Sequence, residues 1–278
     1  MKTQVPIQVA HLFKPLDEKL MELLASLNEA NWQKPTVAQH WKVKDVVSHL
    51  LDGNLRTLSI QRDYYFGDTP PAIQGYSNLV NLLNELNADW INATRRISPQ
   101  VLVLLHRVTG PLVSQYYESL NLLAPAIFPV AWAGETESLN WMHLAREYTE
   151  KWHHQQQIRE AVGNEELMSR RYFYPVVDTF FRALPFRFKA IPAPEGTVIQ
   201  IWVTGDGGGE WLLEKQKESW RLVDKASNHA VSGVEIPAEI AWKLFSKNIR
   251  PGEILDKVKI AGQAALGQHV LEMVCVMA

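Results

Sequence analysis

The chain has 278 residues, a formal net charge of -2 and 46% hydrophobic content, an ordinary globular balance in a length that usually needs more than one core. Lysines and arginines are scattered, and the densest basic pair, Arg170 and Arg171, is too short to form a patch, so no nucleic-acid partner is expected. No apolar run approaches the ~20 residues that span a bilayer, and MKTQVPIQVAHLF lacks the apolar stretch of a signal peptide; no membrane partner and a cytoplasmic location are expected.

Residues 7–27 read as an amphipathic helix, with Leu12, Leu16, Leu20, Leu23 and Leu24 at helical spacing and Pro15 marking its start or a kink. After a break around 31–36, a second helix is predicted over 43–65, carrying Val46, Leu50 and Leu51 and ending near Gly67 and the Pro70–Pro71 turn. Ser77 is the expected N-cap of a third helix through Leu79, Leu82, Leu83, Leu86 and Trp90. Pro99 suits the first turn of a helix over 101–120. An apolar loop with Pro125 and Pro129 precedes the last strong helix, 139–162, which stops at Gly163.

Beyond Gly163 the pattern changes. A helix around 174–183 leads to TVIQIWVTG, a strand with Ile199, Ile201 and Val203 on one face. GDGGG at 205–209 reads as a hairpin turn and not a phosphate loop, since no Lys-Ser/Thr follows it. Further strand in EWLLEKQKESWRLV, a helix at 238–246, a short strand at 258–261 and a final helix from Ala264 complete an α+β unit. The predicted division is a helix bundle over 1–165 and an α+β domain with its connector helix over 166–278.

The chemistry is expected on the helix 139–162. His143, Glu147, Glu150, His154, Gln157 and Ala161 step by four and three and so share one stripe, beside a second stripe of Trp141, Leu144, Ala145, Tyr148 and Trp152. A polar stripe is ordinarily the solvent side of a helix. This one carries two histidines and two glutamates but no lysine, unlike a solvated face. Glu150 and His154, one turn apart, project to the same side, as two ligands for one metal must. A third ligand has to come from another helix, and His49, amid Val46, Leu50 and Leu51, is the candidate. Gly53, one turn on, hints at close approach by another element. Asp45, Asp52 and Arg56 read as surface charges, and Trp41 and Trp152 are expected nearest the metal cleft. Cys275, the single cysteine, sits in LEMVCVMA as a small core residue, so a reaction needing a thiol must obtain it from a cofactor.

At this point WQKPTVAQHWKVKDVVSHLLDGNLR resembles the first half of the DinB-like, or mycothiol-dependent maleylpyruvate isomerase, family, in which a Trp precedes the helix bearing the first metal histidine. EKWHHQQQIREAVG resembles its second signature, a Glu four residues before a His and then a helix end. AWKLFSKNIRPGEILDKVKIAGQAALGQHVLEMVCVMA resembles the small, sterol-carrier-like α+β domain of the isomerase branch. The likeness spans nearly the whole chain and is weakest over 67–136 and 164–195. It implies a four-helix bundle with a divalent metal on His49, Glu150 and His154, the trio the spacing had selected.

Two imidazoles and a carboxylate suit Zn²⁺ first, and Ni, Fe, Mn or Co as well. The resemblance further implies a low-molecular-weight thiol, mycothiol, bacillithiol or another, as cofactor beside a small-molecule substrate. Ionised at the metal, such a thiol adds to a double bond and leaves, isomerising it, or stays attached, as in an S-transferase. A metal-dependent hydrolase and a non-catalytic small-molecule-binding protein are the alternatives. One departure stands out: many members have Asp three residues after the second histidine, where this chain has Gln157. His153 offers a competing ligand, but lies about 100° around the helix from His154.

Overall fold

The computed structural model describes residues 5–67 and 75–275. The first helix, α1 (Phe13–Ser26), follows a single 3₁₀ turn and buries Phe13, Leu16, Leu20, Leu23 and Leu24. Pro15 lies in its opening turn, where a missing N–H costs nothing, so it begins the helix and does not kink it. A one-turn helix, α2 (Glu29–Trp32), which sequence reading missed, is closed by reciprocal Asn28 and Asn31 bonds.

The predicted second helix divides into α3 (Val43–Arg56) and a π-helical segment, Thr57–Arg62. Asp45 accepts the backbone N–H of Lys42 and so caps α3. The expected Pro70–Pro71 turn lies outside the described residues. Helix α4 (Tyr76–Thr94) starts after Gly75, not at a Ser77 cap. In α5 (Pro99–Ser119), Pro99 fills the first turn, as expected, and Ser98, not foreseen as a cap, accepts from the Val101 N–H. Helix α6 (Asn140–Val162) ends at Gly163, whose φ of 76° supplies the left-handed residue that closes the helix.

Helices α1, α3, α5 and α6 pack against one another, with α4 against α3, and form the N-terminal bundle. Its far end is an apolar cluster of Leu20, Leu23, Leu24, Trp32, Val43, Val46, Leu50, Leu102 and Ile158. Near the middle of the bundle, packing is polar: Lys151 donates to Asp17 at 3.0 Å and to Asn54 at 2.6 Å, satisfying a cation that is otherwise costly to enclose.

Two further helices, α7 (Arg170–Phe181) and α8 (Leu184–Arg187), lead to a five-stranded sheet. Its strands are β1 (Val198–Thr204), β2 (Gly209–Lys215), β3 (Trp220–Val223), β4 (Ser232–Pro237) and β5 (Lys259–Gly262), in the order β3-β2-β1-β4-β5. GDGGG forms the β1–β2 hairpin, while β4, absent from the sequence reading, lies parallel to β1. Ile199, Ile201 and Val203 face the core, whereas Gln200 and Trp202 are exposed, as the period-two pattern required. Helices α9 (Ala238–Phe245) and α10 (Ala264–Leu271) complete the sheet region.

The larger apolar cluster runs without a break from Phe13 and Tyr148 in the bundle to Ile201, Trp242 and Cys275 beyond it. Trp152 is its hinge piece: it stacks on Phe173 at 5.1 Å, meets Trp242 edge-on at 6.1 Å, and donates its N–H to the Leu167 carbonyl. Among the described residues no helix is long and apolar enough to cross a membrane.

Candidate metal centre

Helix α6 is unusual in what it buries. His143, Thr149, His153, His154, Gln155, Gln156, Gln157 and Arg159 are all enclosed, so most of the polar stripe faces protein, with Glu147 and Glu150 half-buried at its edge. Such a face persists only where its polar groups find partners.

The three residues singled out from the sequence lie together. The rings of His49 on α3 and His154 on α6 are 4.5 Å apart, centroid to centroid, in an edge-to-face arrangement. His154 Nε2 is 3.6 Å from Glu150 Oε2, one helical turn away and beyond hydrogen-bond range. Trp41 borders the cleft, 4.9 Å from the His49 ring. Trp152 does not, because its position on α6 turns it into the Phe173 and Trp242 core.

His153 enters the group as well. One donor atom each from Glu150, His153 and His154 lies within 4.8 Å of the other two. Although 100° separates adjacent residues around a helix, the two imidazoles lean together, with centroids 4.8 Å apart.

The protonation pattern distinguishes these histidines. His154 Nδ1 lies 3.0 Å from Gln157 Oε1, an acceptor only, so Nδ1 carries the proton and Nε2 presents its lone pair toward Glu150. His153 Nε2 lies 3.0 Å from Gln157 Nε2 and 2.9 Å from Asn248 Nδ2, both donors, so it accepts and its proton sits on Nδ1. His49 Nδ1 and the protonated His153 Nδ1 are both buried with no hydrogen-bond partner among the described residues.

Electrostatics agree with this. Burial pushes the His154 pKa down to about 4, and holds His49 and His153 well below the usual imidazole range. All three are therefore neutral at pH 7, as metal binding requires. Burial raises the Glu150 carboxyl to about 7 against the opposing pull of Arg146. Its side chain is 35% exposed, more open than that of His154.

A second cluster occupies the preceding turns. Arg146 donates to Glu147 at 2.6 Å and lies 2.8 Å from His143 Nδ1, while Tyr117 donates to Glu147 at 3.0 Å. Gln61, on the π segment, accepts from His143 at 2.9 Å. Burial works against ionising Glu147, but Arg146, His143 and Tyr117 outweigh it and hold its pKa low. Of this group, His143 and Glu147 were visible as stripe residues; Arg146, Tyr117 and Gln61 were not. Long side chains from three elements converge here, which no local pattern encodes.

Three sequence expectations need correction. Asp52 is buried and paired with Arg56 at 2.8 Å, because α3 turns it under the arginine stem. Arg56 is accordingly no free surface cation; its side chain is 34% exposed. Gly53 admits no close neighbour, and a Cβ there would meet nothing within 4 Å. Cys275 is a buried core residue, its thiol donating to the Phe180 carbonyl and its pKa pushed well up by burial.

A helix bundle with a polar, histidine-bearing interior, followed by a mixed sheet, carries this candidate metal centre. The model of the mycothiol maleylpyruvate isomerase N-terminal domain matches residues 13–159, more than half of the chain, and the chain belongs to that family. Among solved structures, a mutant of the mycothiol-dependent maleylpyruvate isomerase matches at TM-score 0.54 and 10% identity, covering 91% of each chain. A second structure of the mycothiol-dependent maleylpyruvate isomerase matches at TM-score 0.52 and 10% identity, covering 84% of this chain and 86% of the other. At that identity the likeness concerns the fold, bundle and sheet region alike. No curated protein matches the chain.

The residues present fit a divalent metal. An orphaned buried His49 nitrogen, an unprotonated His154 Nε2 and an adjacent carboxylate are the groups a bound cation would satisfy.

Proposed function

We propose that this protein is a metal-dependent enzyme using a low-molecular-weight thiol, of isomerase or S-transferase type, with His49, Glu150 and His154 as the protein ligands. One observation supports this reading: two neutral histidines from different helices, with ring centroids 4.5 Å apart, stand together in a member of this family, and one of them lies 3.6 Å from a carboxylate.

A bound divalent metal, Zn²⁺ first, supplies an acidic centre at which a thiol of ordinary pKa ~8.5 ionises near neutral pH. The chain's own groups do the rest. Gln157 accepts a hydrogen bond from His154 Nδ1–H and so keeps Nε2 free. Trp41 walls the cleft beside His49. Arg56 and Arg146 bring positive charge toward Glu150, lowering the cost of an anion at its mouth. The protein itself offers no thiol for the work, since Cys275 is enclosed far from solvent and resists ionisation.

Elemental analysis of the purified protein beside His154→Ala is the first test, followed by calorimetry with mycothiol, bacillithiol and glutathione. Near-stoichiometric metal lost in the variant, together with thiol binding that needs the metal, supports the reading. Metal in neither protein after loading with Zn²⁺, Ni²⁺ or Fe²⁺ overturns it. Ester or amide hydrolysis without any thiol would replace it with a hydrolase.

A further inference from the structure

The hydrogen bonds behind the metal centre form a chain with only one consistent polarity, and its fixed end lies in the sheet region. The Ser246 hydroxyl sits 2.6 Å from the Trp242 carbonyl, to which it can only donate. Ser246 Oγ is then free to accept, and Asn248 Nδ2 reaches it at 2.6 Å. With its NH₂ group committed there and to His153 Nε2, Asn248 turns its carbonyl oxygen toward Gln157 Nε2, 3.4 Å away. Gln157 therefore shows an NH₂ group on this side and its oxygen to His154 Nδ1. An acceptor at Nδ1 selects the tautomer of His154 in which Nε2 is bare.

Backbone geometry supports the same reading. Helix α9 ends at Phe245, and Lys247 adopts a left-handed φ of 61°, unusual for a residue with a side chain. The chain turns back so that the Asn248 N–H reaches the Lys243 carbonyl at 2.8 Å. This places the amide of Asn248 over α6. An ion pair between Lys243 and Glu160 ties the same two helices together.

We propose that Asn248 is a positioning residue for the metal centre: through Gln157 it sets the tautomer of His154 as a ligand, and it holds His153 as an acceptor and so out of the ligand set. The proposal rests on the metal-centre reading given above. A carboxamide at 157 has two faces, donor and acceptor, and either could meet His154. Asn248 removes that choice.

The test separates tautomer from metal. In ¹⁵N-labelled metal-free protein, long-range ¹H–¹⁵N spectra report which imidazole nitrogen of His154 is protonated, and a chromophoric chelator in competition gives the Zn²⁺ affinity. Native protein is expected to show His154 protonated at Nδ1. Asn248→Ala is expected to mix the two tautomers and weaken Zn²⁺ about tenfold, at the lower edge of what outer-shell ligand partners cost. Adding Gln157→Glu to Asn248→Ala is expected to restore both, because a carboxylate accepts from Nδ1 in either orientation. A merely structural loss would not be rescued that way. If Asn248→Ala keeps the Nδ1 tautomer and native affinity, or if the double variant stays as weak as the single, the relay is wrong. A tautomer shift in a protein that binds no Zn²⁺ at all would keep the relay and remove the metal reading.

Discussion

His154 Nδ1 lies 3.0 Å from Gln157 Oε1, three residues further along the same helix, and this contact orients the imidazole that faces Glu150. An i,i+3 pair on a helix is a short, pre-formed contact, so the ring is held before any metal arrives. The amide at 157 presents a neutral acceptor to the ring, where a carboxylate would present a charged one. Gln157→Ala should lower Zn²⁺ affinity roughly 10–100-fold, with unchanged helical circular dichroism, whereas Gln157→Glu should bind at least as tightly as the native protein. Chelator competition decides it, and native affinity in Gln157→Ala would show the contact to be incidental.

The two adjacent histidines should behave differently. His154→Ala removes a candidate ligand and is expected to abolish stoichiometric metal. His153→Ala removes an acceptor from the network behind it and should leave metal bound, weakened by about an order of magnitude. Elemental analysis of both variants after dialysis reads the difference. The opposite pattern, metal lost only without His153, would move the centre to that side of the helix.

Trp152 joins the bundle to the sheet region, fully buried between Phe173 and Trp242. Replacing it with Ala leaves a large void and an orphaned Leu167 carbonyl, a change that costs about 3–5 kcal/mol for buried aromatic residues. Urea unfolding followed by both circular dichroism and tryptophan fluorescence should show the loss as one transition for both regions. A variant as stable as the native protein would mean that this contact carries no stability.

Acid should destabilise the bundle in part through His106. Its ring lies 2.9 Å from the Val47 carbonyl, and burial lowers its pKa from 6.5 to about 4. Since the folded value is the lower one, the unfolded chain takes up the proton first, and stability falls as pH drops from about 6.5 to about 4. At 1.36 kcal/mol per unit the contribution lost by pH 4 is about 3 kcal/mol. His106→Gln, which can still donate to Val47, should show a flatter stability profile over that range in urea titrations. An unchanged slope would place the acid sensitivity elsewhere, His143 being next in line because burial lowers it to about 4 as well.

Much of this architecture was legible in the sequence because its signals are local. Helical spacing of leucines, Pro99, the stop at Gly163 and the alternation in TVIQIWVTG each act within a few residues, and each element formed where they pointed. The same locality brought out Glu150 and His154, since one helical turn alone places them on one side. β4 went unseen because SGVEIP becomes a strand only by pairing with β1, far away in the chain. Asp52 and Arg56 were misjudged for the same reason, as burial is a property of what packs on a helix and not of the helix. Above all, tertiary structure alone decided the state of the histidines. The sequence by itself determined that a carboxylate and an imidazole share a helical face. Which nitrogen bears the proton, and which imidazole can accept a metal, depends on a carbonyl of Trp242 and an amide of Asn248, brought from about ninety residues away by the packing of α9 on α6. Hydrogen-bond polarity is passed by contact in space, and no spacing in a linear chain records it.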